Sequence, residues 1–147
     1  MRAFIPNIIT PEEAATIVAY YNTKHCPGDW DKLEAVDKIK KAIERIVNPV
    51  WESPTYIRVE KLDRGHDWHV DTGSNDHMKW CDYGCSVLLT DSEDAGFLEY
   101  KDGKIFYPEE HYCGLAIHSS DVEHRTKHQG ARITFLAFIA TQETKEE

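Results

Sequence analysis

His69-Val70-Asp71, a lone His124 far downstream, and Arg132 eight residues after that histidine form a set whose residue types can do oxidative chemistry. Two imidazoles and one carboxylate can hold a divalent iron on one face and leave open positions for other ligands. On a strand, residues two apart point to the same side. His69 and Asp71 would then present their donor atoms together, with Trp68 and Val70 packed on the other face. The third ligand must come from a distant segment, and the candidates are His77, His111, His118, His124 and His128. His124 has the best setting. It follows an apolar strand and the polar turn 119–123, after which the chain turns at Gly130 and returns through Arg132 into a long apolar strand. His118 is the runner-up; its other reading is a strand histidine packed near the core.

Arg132 opens a strand that is otherwise apolar (ITFLAFIA). Burying a guanidinium is costly unless it is paired. A guanidinium fork can receive a carboxylate through two parallel hydrogen bonds, and Thr134, on the same strand face, adds a hydroxyl donor. Cys81-x-x-x-Cys85 has no second Cys or His pair to complete a structural zinc site.

The elements that must position these groups follow from periodicity. Residues 2–9 read as a short strand or extended lead-in. Thr10-Pro11-Glu12-Glu13 is a helix start, with Thr10 as cap, Pro11 at the first helical position and Glu13 completing a capping box. Pro27-Gly28 breaks this helix. A second is predicted from Asp31 to Val47, where Leu33, Val36, Ile39, Ile43 and Ile46 recur at helical spacing. After residue 53 the texture changes to strands: 56–62, 68–71, 86–90, a hairpin of 97–100 and 104–107 about Asp102-Gly103, 113–118 and 132–141. Residues 72–83 read as a polar loop with aromatics near its end, and 142–147 as a charged, frayed tail.

The chain has 147 residues, which suits one domain, and a formal charge of −9. Nucleic-acid backbones demand basic patches. The longest basic cluster, Lys38, Lys40, Lys41 and Arg45, lies on a predicted helix interleaved with acids. Nucleic-acid binding is therefore disfavoured, and a neutral or cationic substrate fits better. No run is long enough to span a membrane. The N-terminus lacks the apolar core of a signal peptide. Four irregular cysteines make a reduced, cytoplasmic setting the expectation.

The stretches RGHDWHVD, CSVLLTDSEDAGFLEY and CGLAIHSSDVEHRTKHQGARITFLAFI, in that order, resemble the catalytic domain of Fe(II)/2-oxoglutarate-dependent dioxygenases, in the prolyl 4-hydroxylase-like branch. Ala95-Gly96-Phe97-Leu98 stands where the branch has a Gly-rich turn before a strand. The resemblance implies a mostly β (α+β) domain over residues 1–147, a double-stranded β-helix (jelly-roll barrel) with two N-terminal helices packed on the major sheet. It implies that His69, Asp71 and His124 bind Fe(II), that Arg132 binds the cosubstrate 2-oxoglutarate, and that O₂ completes the reaction. Asp71, as a true carboxylate ligand, argues against a halogenase. The branch usually carries a cosubstrate-binding tyrosine on the strand before the HxD pair, and often another after the loop. Here those regions read Val59-Glu60-Lys61 and Val87-Leu88, with Tyr56 nearby.

The resemblance further implies that residues 72–83 cover a peptide substrate. Trp80 and Tyr83 are the candidates to stack on a proline ring or aliphatic target. Asp76, Asp82, Asp91, Glu93 and Asp94 read either as an acidic solvated rim or as a source of negative potential at the mouth, suited to a basic peptide or free amino acid. The leading expectation is a hydroxylase of a prolyl or other residue in a peptide or protein, with a small-molecule substrate also open. The alternatives are a nucleic-acid dioxygenase, which the charge disfavours, and a cupin-like metal-binding module, which has no need for Arg132. Oligomeric state is not legible.

Overall fold

The computed structural model describes residues 1–23, 29–71 and 78–142. The Pro27-Gly28 helix break, Cys26, His77, Asp76 and most of the charged tail lie outside them.

Nine strands and three helices are described: β1 (Arg2–Ile5), α1 (Pro11–Thr23), α2 (Glu34–Glu44), β2 (Pro49–Val50), β3 (Tyr56–Leu62), β4 (Tyr83–Leu88), β5 (Phe97–Tyr100), β6 (Ile105–Phe106), α3 (Pro108–His111), β7 (Leu115–Ser119), β8 (His124–Lys127) and β9 (Arg132–Thr141). A six-stranded antiparallel sheet runs β1-β7-β4-β9. β3 and β2 follow one another along the outer edge of β9. A three-stranded sheet, β6-β5-β8, faces it. This is the jelly-roll arrangement expected, with α1 and α2 on the outer face of the larger sheet.

The capping box at the start of α1 forms as read. Glu13 N–H donates to Thr10 Oγ1 at 3.1 Å, and Thr10 N–H donates to Glu13 Oε1 at 2.9 Å. The second helix is shorter than predicted. Leu33 is extended (φ −95°, ψ 125°), so the first expected turn becomes a separate 3-10 turn, Trp30–Lys32. That turn buries Trp30 edge-on against Tyr20, with ring centroids 5.1 Å apart.

Strand alternation decides which side chains reach the barrel interior. Val59, Val87, Leu115, Ile117, Phe135, Ala137 and Ile139 point outward to Ile17, Val36, Ile39 and Ile43 of the helices and form the main core. The opposite face of the same sheet presents Gly84, Ser86, His118, Arg132 and Thr134 inward. A smaller cluster of Leu98, Tyr100, Phe106 and Ala116 joins residues of the two sheets. Among the described residues no helix is long and apolar enough to cross a membrane.

Candidate metal centre

The segment carrying His69 and Asp71 is not the regular strand predicted. It pairs with the rest of the barrel at one isolated bridge, His69 opposite His124. Each of these residues donates its backbone N–H to the other's carbonyl at 3.0 Å, and Asp71 N–H donates to Ser120 O at 3.1 Å. Trp68 is held between two cations, Lys101 Nζ at 4.4 Å and the Arg125 guanidinium at 4.6 Å from the ring centroid. Because the segment lacks a full ladder, strict alternation fails: Val70 lines the cavity together with His69 and Asp71.

One ligand atom from each of His69, Asp71 and His124 lies within 4.8 Å of the other two. The two imidazoles are fixed in the same way. His69 Nδ1 lies 2.7 Å from Asp67 O, and His124 Nδ1 lies 2.9 Å from Val122 O. A carbonyl can only accept, so each Nδ1 carries a proton, and in the neutral form of each ring Nε2 keeps its lone pair for a metal. Asp71 Oδ1 lies 3.3 Å from His124 Nε2. Burial favours the neutral carboxyl of Asp71, but hydrogen bonds and charge from His118 and His124 outweigh it and hold the group well below the usual carboxylate range. Burial lowers the His69 pKa. Burial also works against a charged His124, but its bond to Asp71 and that carboxylate's charge win, and its pKa rises. The set therefore offers one carboxylate and two oriented imidazoles, and this fits divalent iron.

His118, the runner-up, lies beside this set. It is a buried strand histidine, as its other reading held, but its ring is turned onto Asp71: Nε2 lies 2.6 Å from Asp71 Oδ2. His111, on α3, is fully buried and 3.3 Å from Arg132. His128 donates through Nδ1 to Gly130 O at 2.7 Å and lines an outer groove.

Arg132 is 5% exposed at the start of β9. Its Nη1 donates to Ala95 O at 2.9 Å, and its Nη2 reaches His111 Nδ1 at 3.3 Å. No carboxylate pairs with it among the described residues. Burial pulls its pKa down to about 10, with the Glu60 charge acting the other way. His111 is suited to hold it: burial, then the Arg132 charge, push its pKa down to about 3, so the ring is neutral and can accept. Thr134 sits two residues on, on the same face, 7% exposed. Arg132, Thr134 and the triad all line one cavity of about 320 Å³, within the usual range for a small-molecule site.

The regions that lack the expected tyrosines do face this cavity, but through other residues. Val59 and Val87 point into the helix-side core, while Arg58, Glu60, Gly84 and Ser86 point inward. Glu60 is ion-paired to Arg58 and lies 3.3 Å from His66 Nε2. Tyr56 stands at the mouth, with Phe138 at 5.1 Å and Trp80 at 6.0 Å between ring centroids. Trp80 thus lies beside the mouth, as the second layer of an aromatic wall. Tyr83 does not join it. It occupies the opposite face of β4 from Gly84 and packs against the helix-side core. The described acidic residues fall into two groups. Asp82 lies on Tyr83's side of the sheet and accepts from Thr141 N–H at 2.9 Å. Asp91, Glu93 and Asp94 line an open groove of about 1240 Å³ that contains none of the triad but adjoins the cavity, sharing His66 and Thr126 with it.

Gly84 and Tyr100 are not among the residues the sequence singles out, and His111, weighed there only as a third ligand, instead contacts Arg132. Gly84 had a legible signal, since a glycine inside a strand pattern marks close backbone approach. The other two become visible only through tertiary contact.

No family model matches the chain, and no curated protein matches it in sequence. Its fold does match solved structures. A prolyl-4-hydroxylase from Pseudomonas putida superposes with a TM-score of 0.69 at 12% identity, covering 96% of this chain and 92% of that one. A prolyl hydroxylase from Trichoplax adhaerens, in complex with a hypoxia inducible factor oxygen degradation domain peptide fragment, gives 0.70 at 12% identity, covering 99% and 86%. HygX from Streptomyces hygroscopicus, with nickel and 2-oxoglutarate bound, gives 0.61 at 12% identity, covering 96% and 82%.

Proposed function

We propose that this protein is an Fe(II)/2-oxoglutarate-dependent dioxygenase that hydroxylates a C–H bond, with a prolyl or other residue of a peptide as substrate. The observation that carries the reading is Arg132. A buried guanidinium with no carboxylate partner among the described residues opens onto the same cavity as a two-histidine, one-aspartate cluster. A dicarboxylic cosubstrate satisfies both demands at once, with one end toward the metal and the other on the guanidinium.

His69 and His124 would hold the iron through Nε2 and Asp71 through a carboxylate oxygen. Bound iron would couple the oxidative decarboxylation of 2-oxoglutarate by O₂, yielding succinate and CO₂, to hydroxylation of the substrate. The protein's part is to position and to exclude water. Arg132 and Thr134 receive the distal carboxylate, and His111 and the Ala95 carbonyl keep the guanidinium aimed. Leu62, Leu98 and Leu136 give the cavity apolar walls. Tyr56, Phe138 and Trp80 offer a flat apolar surface at the mouth, which supports a ring-bearing or aliphatic target. The peptide-bound neighbour supports a peptide substrate. Cys81, Cys85 and Cys113 are buried free thiols, which supports a reducing, cytoplasmic setting.

The test is anaerobic addition of Fe(II) and 2-oxoglutarate. A visible metal-to-ligand charge-transfer band is expected in the parent and is lost in Asp71→Ala. In Arg132→Ala the band should need far higher 2-oxoglutarate. Succinate release stimulated by proline-containing peptides then tests the substrate class. A band whose 2-oxoglutarate dependence is unchanged in Arg132→Ala would overturn the cosubstrate assignment.

A further inference from the structure

We propose that Tyr100 and His118 are positioning residues for Asp71, forming a buried relay that reserves one carboxylate oxygen and leaves the other for the metal. The proposal rests on the iron-site reading given above.

The relay has a defined direction. Asp71 Oδ2 lies 2.6 Å from His118 Nε2, and an ionised carboxylate only accepts, so the imidazole donates through Nε2. The Nδ1 of the neutral ring is then an acceptor, and the Tyr100 hydroxyl lies 2.8 Å from it. The chain reads Tyr100 O–H to His118 Nδ1, then His118 Nε2–H to Asp71 Oδ2. Tyr100 is fully buried and His118 is 4% exposed, so water does not substitute for either bond. Tyr100 comes from β5 of the smaller sheet and His118 from β7 of the larger one. The relay therefore ties Asp71 to both halves of the barrel.

His118 is not a fourth ligand. Among the described residues, the group of ligand atoms that converge takes His69, Asp71 and His124 and leaves out His118. The Nε2 that would reach a metal is already committed to Oδ2. Asp71 Oδ1 remains, 3.3 Å from the Nε2 of His124, on the side where the ligand atoms meet. Gly84 completes the arrangement: an added Cβ there would sit 1.9 Å from Oδ2 and 2.7 Å from His118 Nε2, so the strand is cut away where this hydrogen bond lies. Binding through one oxygen keeps a coordination position open that a two-oxygen grip would occupy.

Metal titration of the whole protein tests this, with Mn(II) followed by its free-ion magnetic resonance signal and Co(II) by its visible bands. His118→Leu should weaken Mn(II) about 10- to 100-fold, as loss of an outer-shell partner does. Tyr100→Phe, which removes one oxygen and keeps the ring, should weaken it by less than about 10-fold. His118→Gln restores a donor near the Nε2 position and should recover most of the affinity. The Co(II) bands should change in His118→Leu and return toward the parent in His118→Gln. Parent affinity and an unchanged Co(II) spectrum in both His118→Leu and Tyr100→Phe would overturn the relay while leaving the iron site standing. A parent that binds neither ion would overturn the iron site and the relay with it.

Discussion

Replacing Gly84 by alanine puts the metal centre under direct strain. An ideal Cβ at this position would stand 1.9 Å from Asp71 Oδ2, 2.9 Å from its Cγ and 2.7 Å from His118 Nε2. Real Cβ atoms essentially never approach closer than 3.0 Å, so the carboxylate must retreat by at least 1.1 Å, the difference between 3.0 and 1.9. Metal–ligand distances tolerate only about 0.2 Å. Asp71 is therefore expelled from the position where it meets His69 and His124. The fold itself should tolerate the change. Gly84 is not among the described glycines with positive φ, so alanine meets no backbone penalty there. Its lower unfolded-state entropy contributes about 0.4–1 kcal/mol of stability, against about 1–3 kcal/mol for local overpacking. The expected result is a folded protein, at most about 3 kcal/mol less stable, whose Mn(II) affinity is reduced by about 100-fold or more. Urea unfolding of the metal-free protein and Mn(II) titration measure the two quantities separately. A Gly84→Ala protein that binds Mn(II) as tightly as the parent would refute the placement of Asp71 against β4.

The remaining predictions concern stability and the support of the site. His111 has its pKa depressed to about 3 in the fold, against about 6.5 when unfolded, so the unfolded chain binds the extra proton between these values. Its contribution is complete above pH 6.5 and is lost as pH falls through that window, on the order of a few kcal/mol in all; urea unfolding at pH 7 and pH 5 should show a smaller loss in His111→Gln than in the parent. Thr10→Ala removes the hydroxyl that caps α1 and should cost about 1 kcal/mol in chemical denaturation. Trp68→Leu removes the ring held between Lys101 and Arg125 and should cost about 1–2 kcal/mol, with weaker Mn(II) binding because the neighbouring His69 loses its brace.

What could be read from the chain and what could not divide along a physical line. β3 and β9 have the predicted bounds: β9 is long, central and apolar, and β3, at the edge, pairs with it along its whole length. The Thr10–Glu13 cap was legible because its hydrogen bonds are local in sequence. β8, His124–Lys127, was missed as a strand because HRTK has no apolar pattern; three of its four residues are only partly buried or exposed. The convergence of His69, Asp71 and His124 was legible by residue type and order, but the backbone that carries His69 and Asp71 was not. A single bridge leaves no periodic trace, and the expected face for Val70 was wrong for that reason. A strand start at Ser86, where the apolar run begins, puts Tyr83 in the loop at the mouth. The strand begins at Tyr83, and the alternation then turns that ring toward the helices. Partners of Asp71 and Arg132 come from β7 and α3, across 47 and 21 residues of chain. Distances of that kind leave no local signature.

The bridge between His69 and His124 has a kinetic consequence. The two nitrogen donors cannot drift apart unless a reciprocal pair of amide hydrogen bonds opens, so their spacing survives when the ion leaves. Loading is then capture by a ready socket rather than coupled folding. Its speed should be governed by how fast the incoming ion sheds water, not by how fast the chain rearranges. Chelation and refilling should accordingly be reversible over many cycles, with deuterium uptake at these two amides nearly the same whether the socket is full or bare.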